Sequence, residues 1–330
     1  MNLKNFIVLA SLFLLLSLSI GMVSANENMT LESDGINPEQ YLGDLEEDYD
    51  VEIVNAEDYT AHYQSDDEFY FELQPGDAVD EDIEFDVVDN NTGHVIGYAQ
   101  YLQDSYYGYG YVDAGVGNYK ATLKVSDIFE DEYNIKPVTI NVKITKAPVT
   151  LTAYKWISTT KNYATLKATV KDEFGDPIGE GTVKFSINGK TYSAKVKNGV
   201  AVKKVKLTKA KTYTYKATFS SKNYKTKTKS SNVYVKKYKK YYTFKVGKYS
   251  CKMSYSKYVK LLYAKNNKKY KEFSFISGKQ YGIYPIHMYV STLPRDMQSL
   301  KGDYVRVWID NGMGIDSTIQ RKINLYTLNS

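Results

Sequence analysis

The residues best suited to chemistry crowd into one short stretch. Residues 172–190 read DEFGDPIGEGTVKFSINGK, and the first ten of them hold four acids, three glycines and a proline. Such a loop could cradle a phosphate or carry paired catalytic carboxylates. A phosphate loop needs GxxxxGK followed by Ser or Thr at the start of a helix, whereas the strand-forming run Thr182-Val183-Lys184-Phe185 follows here. No histidine lies near these acids, so we interpret the stretch as a turn between two strands.

Few other residues form a catalytic pattern. The histidines, His62, His94 and His287, are far apart and match no metal-ligand spacing, and Cys251 is the single cysteine. The alternative hypothesis is a secreted enzyme whose site lies in 240–330 and uses Cys251, His287 and Asp296, with Cys251 as nucleophile and His287 as base. No protease or transglutaminase motif surrounds Cys251, and a buried thiol fits a lone cysteine better. We therefore predict that the chain is not an enzyme.

An acidic stretch could hold a metal ion. Its carboxylates are Asp77, Asp80, Glu81, Asp82 and Glu84, at the edge of a predicted strand. Calcium prefers such oxygen clusters, and an ion at a domain junction would stiffen a tandem array. The order of an EF-hand loop is absent, however, and a solvated acidic edge that resists aggregation explains the stretch more simply. We predict no cofactor, with Ca²⁺ as the alternative.

The N-terminus has the order of a secretory signal. Lys4 precedes an apolar run over residues 6–20, and the small residues Val23-Ser24-Ala25 follow it. The run of 15 residues is shorter than the roughly 20 that cross a bilayer. We predict a signal peptide over 1–25, cleaved near Ala25, and a secreted protein associated with the cell surface. Contact with a membrane would come only through an uncleaved signal segment.

Lysine and tyrosine interleave densely in the second half of the chain, and together they could bind a ligand without reacting with it. The predicted binding surface comprises Lys222, Tyr224, Lys225, Lys227, Lys229, Lys236, Lys237, Tyr238, Lys239, Lys240 and Tyr241. Cations beside stacking aromatic rings suit a nucleic acid strand, a carbohydrate or an anionic wall polymer. Export argues against nucleic acid, so we predict a cell-envelope polymer, or a surface glycan or protein, as the partner.

Charge divides the chain into two unlike parts. Residues 26–135 contain 29 acids against two lysines, whereas residues 136–330 contain nine acids against 40 lysines and arginines. Solvated faces that maintain solubility are one explanation of this division. A split this large also indicates an electrostatic role, in which each part recruits the opposite charge. Head-to-tail self-association through the two parts, as in a structural cell-wall component, is therefore a further alternative.

The elements that must position these residues are strands. Residues 26–50 are polar and acidic, which predicts a disordered leader. Period-two alternation of apolar residues begins near residue 51, and Ala147-Pro148 opens a second series with hairpin signals at Asn188-Gly189 and Asn198-Gly199. The word YKAT occurs at 119–122 and again at 215–218, which indicates an internal repeat. We predict two tandem β-sandwiches over 51–147 and 148–236.

The last segment, 237–330, differs from both series. Its sequence predicts a hairpin around Gly247, a helix within SYSKYVKLLYAKNNKKY, and strands at EFSFISGK and DYVRVWID. We predict a small basic α+β or mostly β module without assigning its topology. Elsewhere, the sequons at Asn28 and Asn90 predict surface glycosylation in an exported protein.

The strand and turn order of 148–236 matches a known kind of repeat. VKDEFGDPIGEGTVKFSINGK, VKNGVAV and TYTYKATFSSKNY closely resemble the bacterial Ig-like repeats of surface adhesins, and most of all those in adhesin-like proteins of methanogenic archaea. The resemblance is looser over 51–147, where DAVDED replaces a Gly-Pro-x-Gly turn, and it does not cover 240–330. It implies an Ig-like sandwich with an adhesive or spacer role at the cell surface, and it carries no catalytic residues.

These observations lead to one prediction for the whole chain. The fold class is mostly β, with an acidic Ig-like domain at 51–147, a basic Ig-like domain at 148–236 and a basic C-terminal module. The function is that of a non-enzymatic, exported, adhesin-like protein of the cell surface. Its Ig-like domains act as spacers and interaction surfaces, and its basic module binds an anionic envelope polymer or partner.

Overall fold

Alternating apolar and polar residues form strands through most of the described chain. The computed structural model describes residues 51–76, 79, 81–105, 107–129, 133–281, 284–292, 304–310, 316–325 and 328. All of these residues lie in one compact unit. The predicted signal peptide (1–25), leader (26–50) and Asn28, as well as Asp77, Asp80 and Asp296, lie outside the described residues.

The first domain is a single sheet of nine strands. The strands are β1 (Val51–Val54), β2 (Tyr59–His62), β3 (Phe69–Gln74), β4 (Ile83–Asp89), β5 (Val95–Leu102), β6 (Tyr107–Val112), β7 (Gly117–Val125), β8 (Ile135–Lys136) and β9 (Val138–Thr145). Their order in the sheet is β2-β9-β7-β4-β5-β6-β3-β1-β8. The pairs β2–β9 and β1–β8 are parallel and the remaining pairs are antiparallel. The inward side chains of both halves of this sheet form one apolar core.

The second domain has two separate sheets packed face to face. Its strands are β10 (Thr150–Ala153), β11 (Trp156–Thr159), β12 (Tyr163–Lys171), β13 (Thr182–Ile187), β14 (Lys190–Lys195), β15 (Val200–Lys206), β16 (Thr212–Ser220) and β17 (Lys227–Lys236). One sheet has the order β10-β12-β15 and the other β11-β17-β16-β13-β14, with β11 and β17 parallel. Their inner faces enclose a second core that contains Phe185, Tyr215 and Phe219.

A tyrosine at the start of an equivalent strand marks both domains as Ig-like. The Tyr119 hydroxyl donates to the Gly115 carbonyl at 2.6 Å, and the Tyr213 hydroxyl donates to the Lys209 carbonyl at 3.1 Å. This loop back to the residue four positions upstream is the tyrosine corner of Ig-like sandwiches. The corners are 94 residues apart, whereas the two YKAT words are 96 apart. The two YKAT sequences therefore lie on equivalent strands, but the second is shifted by two residues relative to the position equivalent to the first.

The C-terminal module surrounds one helix with two small sheets. A hairpin of β18 (Tyr241–Val246) and β19 (Tyr249–Ser254) leads into helix α1 (Tyr255–Asn266). An antiparallel sheet follows, formed in order by β20 (Glu272–Tyr281), β21 (Tyr284–Ser291), β22 (Tyr304–Asp310) and β23 (Asp316–Asn324). Ser254 caps α1 by accepting from the Lys257 amide, as expected for serine at that position. The predicted helix and strands thus form an α+β module, and α1 is too short and too polar to span a membrane.

Candidate functional site

The glycine- and acid-rich loop at 172–181 is a connection between β12 and β13. The Asp172 carboxylate accepts from the Asp176 amide at 2.7 Å, which closes the turn. Glu180 accepts from the Ser221 hydroxyl at 2.7 Å, and Glu173 lies 3.2 Å from the imidazole Nε2 of His62 in the first domain. Asp172 thus stabilises the turn, and Glu173 contributes to the joint between the first and second domains. The loop therefore has the structural role that its turn residues predicted.

Two residues of the enzyme hypothesis, Cys251 and His287, are not brought together. Cys251 is buried in the core of the C-terminal module, and burial raises the pKa of its thiol to about 11. His287 sits on β21 between the buried Ile286 and Met288, so its imidazole projects from the opposite face of that strand. A neutral thiol inside a core and an imidazole on the far face of a sheet cannot exchange a proton directly.

Two acids of the stretch before β4, Glu81 and Asp82, stabilise local structure. Glu81 accepts from the Tyr133 hydroxyl at 3.2 Å, and Asp82 accepts from the Gln103 amide at 3.1 Å. Within the described ranges, no group of three or more His, Cys, Asp or Glu side chains could hold a metal ion. Because Asp77 and Asp80 lie outside the described residues, calcium binding by this stretch stays a prediction.

The predicted basic and aromatic surface is divided between the two ends of one strand. Residues 222–229 lie just before and at the start of β17, and residues 236–241 lie at and beyond its end. A strand of ten residues is about 30 Å long. The eleven residues therefore form two patches, and their proximity in sequence does not make one continuous surface.

The patch at the start of β17 loses its aromatic member. Tyr224 is only 4% exposed, because its ring packs edge-on against Tyr63 of the first domain at 5.4 Å. Its hydroxyl donates to Gln64 at 2.7 Å. Tyr224 therefore joins two domains and offers no face to a ligand, contrary to the prediction. The lysines of this patch, Lys222, Lys225, Lys227 and Lys229, are exposed.

The patch at the end of β17 keeps both lysines and aromatic rings at the surface. We call it the junction patch and define it as Lys161, Lys237, Tyr238, Lys239, Lys240, Tyr241 and Tyr255. The Tyr238 and Tyr255 rings meet edge to face at 4.7 Å, and the Lys161 ammonium lies 4.7 Å and 5.6 Å from their centroids. Tyr238 and Tyr241 are 39% and 50% exposed. The patch thus combines cations with aromatic edges and faces.

The junction patch is held by the joint between the second domain and the C-terminal module. Ile157 of β11 lies in the core of the module, and the Asn266 amide bonds both of its backbone groups, at 2.9 Å to the N–H and 2.8 Å to the carbonyl. The hydroxyls of Thr159 and Tyr255 are 2.8 Å apart. The Tyr238 amide donates to Thr160 at 3.1 Å. These contacts hold the Tyr255 side chain and the backbone of Tyr238 in place before any ligand arrives.

Lys236 belongs to this joint and not to the exposed surface. Its ammonium donates to the Leu328 carbonyl. Burial, with a smaller contribution from Lys239, lowers the pKa of Lys236 to about 8. A predicted surface cation is thus a partly desolvated group that links the end of β17 to the C-terminal segment.

A second aromatic and cationic face was not among the predicted site residues. On the outer face of the C-terminal sheet, the rings of Tyr289 and Trp308 stack at 5.1 Å and 11°, and the Arg306 guanidinium lies 4.9 Å from the Trp308 ring. His287 stacks beside Tyr289 at 6.4 Å. The sequence DYVRVWID contained enough information to predict this face. Arg306 and Trp308 alternate with the buried Val305 and Val307, so they must lie on the opposite side of the strand.

The described sequon lies in a tight turn between β4 and β5. Asn90 is exposed, and its side-chain oxygen accepts from the Thr122 hydroxyl at 2.7 Å. Thr92 donates to Asp89 at 2.7 Å within the same turn. Glycosylation at Asn90 remains a prediction that this exposed position supports.

Comparisons with known proteins do not assign this chain to a family. No protein-family model matches the chain, and no curated protein matches it. Solved structures that share some likeness include invasin, a bacterial integrin-binding protein (12% identity, 84% of this chain, 59% of that chain, TM-score 0.34). Others are the Yersinia pseudotuberculosis adhesin InvE (13%, 61% and 66%, TM-score 0.29) and the I9–I11 tandem of titin (12%, 57% and 66%, TM-score 0.27). At these TM-scores the likeness carries no argument, so the Ig-like architecture rests on the topology and the corners.

Proposed function

We propose that this chain is a non-enzymatic, exported protein of the cell surface, and that its junction patch binds an anionic polymer of the cell envelope. The two Ig-like domains act as a spacer that carries the patch. The observation behind the proposal is the preorganised set of Lys161, Tyr238 and Tyr255 at the joint, surrounded by further exposed lysines. The signal-like N-terminus and the resemblance of 148–236 to adhesin repeats support the location and the role.

The chemistry of the patch suits an anionic polysaccharide. Tyrosine rings offer flat apolar surface to sugar C–H groups, and lysines neutralise the carboxylate or phosphate groups of the polymer. Within the described ranges, the ion pairs involve Lys124, Lys136 and His62, and none includes Lys161, Lys237 or Lys240. Because the joint already orders the rings, binding costs less conformational entropy there than on mobile side chains.

Polygalacturonate, an acidic polysaccharide, provides a direct test with dextran as its neutral counterpart. We expect the full chain to bind immobilised polygalacturonate at about 50 mM salt and to release it near 500 mM, since added salt screens exposed charges. Replacing Lys161, Lys237 and Lys240 by glutamine removes three exposed attractions of roughly 0.5 kcal/mol each, so we expect affinity to fall about tenfold.

A matched variant removes the same charge from the other end of β17. Lys222, Lys225 and Lys227 are exposed there without an available tyrosine face, and their replacement by glutamine should weaken binding less than twofold. Equal losses in the two triple variants would show that net charge alone drives binding, and would overturn the assignment to the junction patch. Binding that is indifferent to salt would overturn the electrostatic basis.

A further inference from the structure

The outer surface of the acidic domain carries a group of tyrosines. We call it the tyrosine face and define it as Tyr70 of β3, Tyr98 of β5, and Tyr107, Tyr109 and Tyr111 of β6. Three of these side chains are strongly exposed, Tyr70 at 54%, Tyr98 at 49% and Tyr107 at 43%. Five outward aromatic rings on three neighbouring strands are more than the scattered apolar residues of an ordinary surface.

Strand register makes these tyrosines one continuous surface. Tyr70 lies directly opposite Tyr109 on the neighbouring strand, and Tyr98 lies directly opposite Tyr111. Tyr107 joins the group through an edge-on contact with Tyr70, at 5.9 Å between ring centroids. Directly opposed residues on one face of a sheet are neighbours in space. The rings therefore cover adjacent rows of the sheet.

The core does not require the tyrosines of β6 to face outward. Gly108 and Gly110 alternate with them and point inward, where an added Cβ on Gly108 would collide with the Phe71 ring and one on Gly110 would lie 2.7 Å from Phe69. The phenylalanines of β3 thus fill the core next to Gly108 and Gly110, and the inward side chain that β6 contributes is Val112. Polar residues could equally occupy the outward positions of this strand, yet it carries three large aromatic residues there.

Groups that accept hydrogen bonds adjoin the tyrosine face on two sides. Gln100 lies opposite Tyr109, with Glu84 opposite Gln100 on the next strand, and Asp86 lies opposite Tyr98. A cleft of about 570 Å³ adjoins Tyr70 and Tyr107 and is lined by further carboxylates, among them Glu68 and Glu72. Ionised carboxylates accept hydrogen bonds and donate none, which matches the hydroxyl donors of sugars.

Charge decides which polymer this face can take. The first domain, 51–147, has 20 acids against five lysines, so it repels nucleic acids and acidic polysaccharides. We propose that the tyrosine face is a second binding site, specific for neutral polysaccharides whose sugar rings stack on the tyrosines. The site is independent of the junction patch, because it lies on another domain and takes a ligand of different charge.

Sedimentation of the full chain with cellulose and chitin particles, supported by titration with their soluble hexasaccharides, tests this site. Measurements are made at about 500 mM salt, where binding of polyanions to the junction patch is screened. We expect binding to at least one of the two polymers. The double variant Tyr98→Ala/Tyr109→Ala should lower the affinity about tenfold, because two stacked rings are lost.

The double variant Tyr163→Ala/Tyr270→Ala is the matched control, because these tyrosines are 62% and 58% exposed but lie outside the tyrosine face. It should bind like the parent. If the first variant does not fold, as judged by its melting temperature, Tyr70→Ala replaces it. Absence of binding to both polymers, or equal losses in the control, would overturn the proposal.

Binding only at low salt, with concentration-dependent self-association, would also overturn it. That result would show instead that the acidic face meets the lysines of a second copy. The triple lysine variant of the junction patch should leave binding of neutral polymers unchanged. The two sites can therefore fail separately, and loss of one proposal does not remove the other.

Discussion

The two Ig-like domains share a strand plan and differ at one edge. In both domains, an early strand runs parallel to the last strand. A tyrosine corner lies at the start of the strand that pairs with the other side of the last strand. In the first domain, β5 pairs with β6, so the two layers join into one sheet of nine strands. In the second, β14 and β15 are edges of separate sheets. The same plan can thus close or leave open one side of a sandwich.

The connection at that edge explains the difference. In the first domain, a 3-10 turn over Gln103–Ser105 reverses the chain so that β6 lies beside β5. In the second, residues 196–199 carry the chain across to the other sheet, held by bonds from the Val196 amide to the Gly181 carbonyl and from the Gly199 amide to the Ile178 carbonyl. Gly199 has φ of +69°, and an added Cβ would lie 2.7 Å from Pro177. The hairpin turn therefore joins the two layers of the first domain into one sheet, whereas the tight crossing leaves the second domain with two separate sheets.

The largest expected effect concerns the closed edge. Gly108→Ala should destabilise the first domain by about 3 kcal/mol, because the new methyl group collides with Phe71 in a filled core. Gly179→Ala in the second domain is the control, since nothing lies within 4 Å of its added Cβ. Calorimetric melting of the full chain measures both. Similar melting of the two variants would show that the close packing of β6 is not needed for closure.

The next effect compares the joints at the two ends of the second domain. Asn266→Ala should cost about 2 kcal/mol, because both backbone groups of Ile157 lose their partner. Asn223→Ala removes a long hydrogen bond of 3.4 Å from the Val116 amide and a hydrogen bond with the half-exposed Tyr63 hydroxyl, so it should cost about 1 kcal/mol. Urea unfolding measures the cost of each variant, and hydrogen exchange shows which joint each variant weakens. Equal costs would contradict the view that Asn266 is the firmer link.

The tyrosine corners provide a smaller and symmetric effect. Tyr119→Phe and Tyr213→Phe each remove one hydrogen bond to a backbone carbonyl, so each should cost about 1 kcal/mol. Calorimetric melting should show a similar loss of stability in the two domains. A clear loss in one domain and none in the other would show that the corners are not equivalent.

The smallest effect concerns charge at the end of the second domain. Because burial lowers the pKa of Lys236 to about 8, below its unfolded value near 10.5, the unfolded chain holds this proton more tightly. The contribution of Lys236 to stability should therefore rise with pH between about 8 and 10.5. Lys236→Met should be most stabilising below pH 8, and this advantage should shrink toward pH 9.5 in urea unfolding. The loss of the bond to Leu328 offsets part of the gain, and a difference independent of pH would contradict the assignment.

Local patterns predicted the strands better than they predicted surfaces. Alternation identified β3, β4, β7 and β9, because each places its apolar residues on one core. The same rule failed to reveal β6, because two of its three inward residues, Gly108 and Gly110, are glycines. The turn at 172–181 was predictable from its Gly and Pro residues, since they act locally.

Site prediction failed where distant contacts decide exposure. Tyr224 and Lys236 look like surface residues in a run of lysines, but Tyr63 covers the first and the C-terminal segment holds the second. Nothing near either residue in the sequence indicates these partners. Conversely, Lys161 and Tyr255 joined the junction patch although they lie far from residue 238 along the chain.

The parallel pairing of β2 with β9 and of β11 with β17 has a mechanical consequence. In a parallel pair, the chain enters the first strand at one end of the pair and leaves the second strand at the other end. A force that pulls the two ends of a domain apart therefore loads all the hydrogen bonds of the pair together, in shear, rather than opening them one after another. Each pair has four residues in register. Tension along the chain would thus meet a short clamp of four residue pairs in each Ig-like domain.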